Sequence, residues 1–169
     1  MRNNLLMPTP TRPIVPLDSL DRRMLDVLQR EGRISNAALA ERLHLSPSPC
    51  LRRMRALERS GVIAGYRAVL DREAVGLGLT VFVELKVEGH SRRSADTIRE
   101  ALMGMPEVVA AHVVSGAADI LAEVVVTDLP AYERLLFDVL LELPQVIDVR
   151  SNFALRALKP AGPVPLPVR

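Results

Sequence analysis

The chain of 169 residues has one cysteine, no tryptophan, two tyrosines and three phenylalanines. A lone thiol, Cys50, cannot close a disulfide within the chain, which points to a reducing cytoplasm. His44, His90 and His112 are scattered over an expected turn, loop and strand, so no metal-ligand spacing exists and no metal is expected. Uncharged runs are too short to cross a bilayer, and no membrane partner is expected. Pro8, Pro10, Pro13 and Pro16 interrupt the stretch after Arg2, which excludes a signal peptide there. Neither a phosphate-cradling glycine loop nor a nucleophile–base constellation is present, so neither an enzyme nor a cofactor is expected.

What is present is uneven. Residues 1–66 hold 11 Lys/Arg against 6 Asp/Glu, whereas residues 67–169 hold 11 against 14. A basic front and an acidic back suggest an anionic partner for the first part only. Prolines mark residues 1–16 as a disordered arm and residues 159–169 as a disordered tail without a core of its own. Between them the hydrophobic period changes once. Residues 17–64 carry three short apolar stripes at helical spacing, capped by Asp18 or Ser19, by Ser35 and by Ser46. Residues 65–78 form an extended linker with a hinge around Gly76 and Gly78. Residues 79–158 read strand, helix, strand, strand, helix, strand. Val81, Val83, Leu85 and Val87 alternate with Phe82, Glu84 and Lys86 in the first strand. Tyr132, Leu135, Leu136, Val139, Leu140 and Leu143 predict one continuous amphipathic helix. The fold class is therefore α+β: an N-terminal helix-turn-helix domain, winged-helix-like, followed by a βαββαβ ferredoxin-like domain.

The segment SPSPCLRRMRALERSG, residues 46–61, combines prolines with a basic run. With Ser46 as N-cap, Pro47 is the first helical residue and Pro49 still lies in the first turn, where amides have no intrahelical partner. The prolines start a helix. At about 100° per residue, Ser48, Arg52, Arg55 and Arg59 fall within an arc of roughly 60°, opposite Cys50, Leu51, Met54 and Leu57. A lone arginine cluster reads most plainly as a solvated face. Here a preceding helix, a tight turn and the proline start are in register with it, which favours a helix inserted in the major groove of double-stranded DNA. Ser46, Pro47, Ser48, Arg52, Arg53, Arg55 and Arg59 make up the expected DNA surface. Arg52 and Arg55 are placed to read guanine or meet phosphate, and Arg53 and Arg59 are assigned to phosphates.

The stretch LDSLDRRMLDVLQREGRIS, the LSPSPC turn and the run ending GVIAGY resemble the N-terminal domain of the Lrp/AsnC family of prokaryotic transcription regulators. HVVSGAADI resembles the G-x-x-D loop of the family's effector-sensing domain, and the likeness spans residues 17–157. It implies a regulator that dimerises through its sheet domains and often assembles into octamers. It also implies a small effector, usually an amino acid, bound near Ser115, Gly116, Ala117, Ala118, Asp119 and Ile120. Where the family commonly carries aromatic or bulky residues around that aspartate, Ala118 and Ile120 stand here, implying smaller side chains in the pocket. The alternative is an enzyme of similar architecture, a sirohaem-decarboxylase-like tetrapyrrole enzyme, for which His112 is the sole pointer. The cationic helix face favours the regulator.

Overall fold

The computed structural model describes residues 13–88, 92–159 and 161–167. Residues 1–12 of the expected arm, and His90, lie outside the described residues. The chain divides into two compact units, one containing Leu70–Ala157, the other containing Thr11–Val69 together with Leu158–Arg169.

The N-terminal unit is built from three helices, α1 (Ser19–Arg30), α2 (Asn36–Leu43) and α3 (Pro47–Arg59). Asp18 caps α1 by accepting from the Asp21 amide at 2.7 Å, while the Asp21 carboxylate accepts from the Asp18 amide at 3.1 Å. This reciprocal box satisfies two amides that otherwise lack partners. Ser35 caps α2 through the Ala38 amide. Apolar faces of all three helices meet in a core of Met24, Leu25, Leu39, Ala40, Leu43, Cys50 and Leu57. Cys50 is fully buried there, and burial pushes its thiol up from the ordinary range, which makes it an inert packing group.

The second unit runs β1 (Leu79–Val87), α4 (Arg92–Gly104), β2 (Val108–Val113), β3 (Ile120–Val126), α5 (Leu129–Leu135) and β4 (Val146–Phe153). Its strands lie in the order β2-β3-β1-β4, and every pair is antiparallel. This is the βαββαβ, ferredoxin-like arrangement expected from the pattern. Alternation in β1 buries Val81, Val83, Leu85 and Val87 against Ile98 and Leu102 of α4 and against Tyr132 and Leu135 of α5. Tyr132 is buried with its hydroxyl 2.5 Å from Ser151 Oγ, and its ring meets Phe153 edge-on at 5.5 Å.

One expected element differs. The helix that begins at Leu129 does not continue in α geometry to Leu143 but passes into a π turn over Leu136–Leu140. There the Leu141 amide donates to the Leu136 carbonyl at 3.0 Å. The buried residues are consequently Tyr132, Leu135, Leu140 and Leu143, with a gap of five in the middle. The wide turn brings Leu140 against the sheet and leaves Val139 only half-buried. The linker after α3 also lacks regular structure from Ala64 to Asp71, and no strand pairs with it among the described residues.

Candidate nucleic-acid interface and effector loop

The approach to α3 is set by a short turn. His44 ends α2 in the left-handed region at φ 56°, and the Leu45 amide reaches back to the Ala40 carbonyl at 2.8 Å, closing the helix. Ser46 adopts the extended geometry of an N-cap, but its hydroxyl makes no capping bond. The first turn needs little capping because Pro47 and Pro49 have no N–H to satisfy. Asn36 Nδ2 of α2 donates to the Pro47 carbonyl at 3.0 Å, fixing the start of α3 against the helix before it.

From this start, Ser48, Arg52, Arg55 and Arg59 emerge on one exposed face. None of the three arginines pairs with a carboxylate among the described residues. Exposed guanidinium groups running from the second turn of α3 to its last residue give that face a positive charge. Ser46 and Pro47 are exposed at its entry.

Arg53 is placed elsewhere. Its Nη1 lies 2.6 Å from Asp18 Oδ2 and 2.6 Å from Asp21 Oδ1, spanning the two carboxylates of the α1 capping box. Asp21's amide bond, and then Arg53, hold the Asp18 carboxyl below the usual carboxylate range, and both aspartates raise the Arg53 guanidinium in turn. Sequence reasoning grouped Arg53 with the phosphate contacts, yet the wheel held a signal. At about 100° per residue, Arg53 stands roughly 100° from the nearest cationic member and about 40° from the apolar arc. The arginine is a strut between α3 and α1.

In the sheet unit the connection after β2 is Val114–Asp119. Its tip, Ser115, Gly116 and Ala117, is exposed. Gly116 has φ +132°, and the space where a Cβ would stand is open, so the turn uses a conformation that favours glycine and leaves room for close approach. Ala118 is half-buried. Asp119 is 2% exposed and turns toward β1, where its Oδ2 accepts from the Val87 amide at 3.0 Å and lies 3.2 Å from Lys86 Nζ. The Asp119 amide donates to the Leu85 carbonyl at 3.0 Å. Ile120 joins the core. The six expected residues thus divide into an open tip and a buried root. His112 is exposed on β2 opposite Leu121.

A helix-turn-helix whose second helix carries an exposed cationic face, joined to a ferredoxin-like unit with an exposed glycine turn, defines a DNA-binding regulator with a sensing domain. Comparison with known families agrees along both parts. Residues 17–64 match the winged helix-turn-helix DNA-binding family, and residues 80–164 match the Lrp/AsnC ligand binding domain. The chain belongs to the Lrp/AsnC family of transcription regulators. It is 40% identical over 148 residues to the leucine-responsive regulatory protein of Escherichia coli K12, covering 88% of this chain and 90% of that protein. A transcriptional regulator from Neisseria meningitidis, solved with L-Met, superposes with a TM-score of 0.85 at 35% identity, covering 89% of this chain and 97% of the other. An AsnC family regulator from Agrobacterium tumefaciens gives 0.84 at 35% identity, with 88% and 97% covered. These relatives are regulators, and nothing among them supports the tetrapyrrole-enzyme alternative.

Proposed function

We propose that the chain regulates transcription from the cytoplasm as a homo-oligomer, docking paired α3 helices in successive major grooves of a pseudo-palindromic site. The observation that carries this reading is the unpaired row Ser48, Arg52, Arg55 and Arg59 on an α3 whose start is pinned by Asn36. Ser46 and Pro47 lie beside the phosphates at the helix entry. Arg53 serves the surface indirectly by bracing α3. On this reading residues 17–64 are the DNA-binding domain, 65–78 the hinge and 79–158 the sensing and assembly domain.

The effector is an amino acid received at the tip Ser115, Gly116, Ala117 and Ala118, with Asp119 and Ile120 holding the loop from behind. The names of relatives, leucine-responsive in one case and solved with L-Met in the other, support that class. Assembly is supported by the sheet itself. Helices α4 and α5 pack on one face, while Phe82 on the other is 41% exposed. A second copy covering that face gives the dimer, and further pairing gives an octamer. Binding at the loop shifts the population of assemblies and with it DNA affinity.

Fluorescence anisotropy on DNA from upstream of the chain's own gene, against a scrambled duplex, tests the proposal. With salt titrated in separate series, preferential binding should show a log–log slope near −0.9 per phosphate contact, and L-Leu or L-Met should move the curve. Arg52→Ala and Arg55→Ala should each lose about 1–3 kcal/mol of discrimination or lower the slope by about one contact. Equal binding to both duplexes, untouched by either substitution, would defeat it.

A further inference from the structure

The chain crosses between its two units twice. It leaves the DNA-binding unit through residues 65–78, and after β4 it returns, because Leu158–Arg169 belong to the same compact unit as α1–α3. The proline-rich tail, whose composition predicts disorder, lies along α1 over its described residues 161–167.

The contacts are specific. Gln29 clamps Val164 at two points: its Nε2 donates to the Val164 carbonyl at 3.3 Å, and its Oε1 accepts from the Val164 amide at 2.6 Å. Arg22 Nε donates to the Pro167 carbonyl at 3.0 Å. Leu166 is half-buried and packs against the core of this unit. Arg22 and Gln29 stand seven residues apart, which places them on one face of α1 with a rise of about 10.5 Å between them. Val164 and Pro167 stand three apart, which spans about 9.3 Å in a polyproline II chain. The two spacings match. In Pro163–Pro167, prolines alternate with Val164 and Leu166, so the Val164 amide engaged by Gln29 is one of only two amide donors there. Prolines also stiffen the segment before it docks, reducing the entropy lost on ordering.

The geometry points to the outer face of α1 as a docking groove for an extended proline-rich segment, occupied by the chain's own residues 161–167. Docked, the tail is a second tether between the sensing and DNA-binding units. It leaves Arg52, Arg55 and Arg59 open and narrows the freedom that the 65–78 hinge would otherwise give α3.

Two experiments on the full chain test this. The first joins Asp26→Cys, one turn from both Arg22 and Gln29 on α1, to Val164→Cys with a short bismaleimide, Cys50 being buried and out of reach, in a mixture of isotopically light and heavy protein. The Gln29 clamp on the Val164 main chain stays intact, and the expected product is a 26–164 link within one chain. Mixed light–heavy links in the share set by random pairing would transfer the groove to a second copy's tail, and no link would remove the dock; either overturns the assignment. The second follows Val164 amide exchange. Gln29→Ala, and independently Leu166→Asp, should accelerate it about tenfold, the factor one hydrogen bond of ordinary net strength supplies. Equal exchange in wild type and both variants would also overturn it. Neither outcome depends on DNA binding, so the test stands apart from the proposed function.

Discussion

Removing the Arg53 guanidinium should loosen the DNA-binding unit while sparing its DNA face. Arg53→Ala breaks two contacts of 2.6 Å and leaves Asp18 and Asp21 facing each other without a cation. The Asp18 side chain is 53% exposed, so solvent screens that contact to roughly 0.5 kcal/mol. Asp21 is only 14% exposed, and its contact is worth about 1 kcal/mol as a partly covered, charge-assisted bond. The expected loss is about 1.5 kcal/mol. For a unit of this size that lowers its melting midpoint by about 6–12 °C. Urea and thermal unfolding followed by circular dichroism measure it, with Arg52→Ala as the exposed control, expected within about 0.5 kcal/mol of wild type. At temperatures where both variants are folded, Arg53→Ala should retain the wild-type salt slope, and Arg52→Ala should lose about one contact from it. The reverse pattern, an unchanged midpoint with a shallower slope for Arg53→Ala, would refute the strut and return Arg53 to the phosphates.

Three further outcomes follow from the same contacts. Because the folded Asp18 carboxyl sits below its ordinary value, its stabilisation is complete above about pH 4 and disappears as pH falls through the folded value; an acid titration should show this in wild type and much less in Asp18→Asn. Asp119→Ala, which strips the Val87 amide and Lys86 of their acceptor, should destabilise the sheet unit by about 1–3 kcal/mol in urea, with Asp119→Asn milder because it still accepts from Val87. Leu140→Ala should cost about 2–5 kcal/mol and Val139→Ala well under half of that; equal losses would contradict the wide turn at Leu136–Leu140.

Much of this was legible in the residues themselves. Proline at the first helical position and the cationic arc of α3 are local features, carried by spacing and side-chain type. The strict alternation of β1 is too, because a strand with one buried face repeats every second residue. What could not be read depends on contacts between segments far apart in sequence. Arg53 lies more than 30 residues from both of its partners, so its role depends on how α1 packs against α3. Asp119 sits at the mouth of a strand, and which way it turns depends on the end of β1 that it meets. The tail has no apolar period to betray a partner, since its hydrogen bonds to α1 run through main-chain groups that every residue shares and Leu166 alone of its side chains packs on the core among the described residues. At the π turn, the apolar residues from Tyr132 to Leu143 satisfy a regular helix equally well, so only packing selects Leu140 over Val139.

That turn also bears on how the chain tolerates changes in length. A π turn holds one residue more than the α turn it replaces. Removing a single residue between Leu136 and Leu140 would let the helix continue in ordinary geometry with Tyr132, Leu135 and the downstream apolar positions still facing the sheet. The same deletion in the middle of α4 would rotate every later side chain by about 100° and carry Leu102 off the core. Insertions and deletions are therefore accommodated unequally by the two helices that cover one sheet face, and the second of them already contains the residue it could lose.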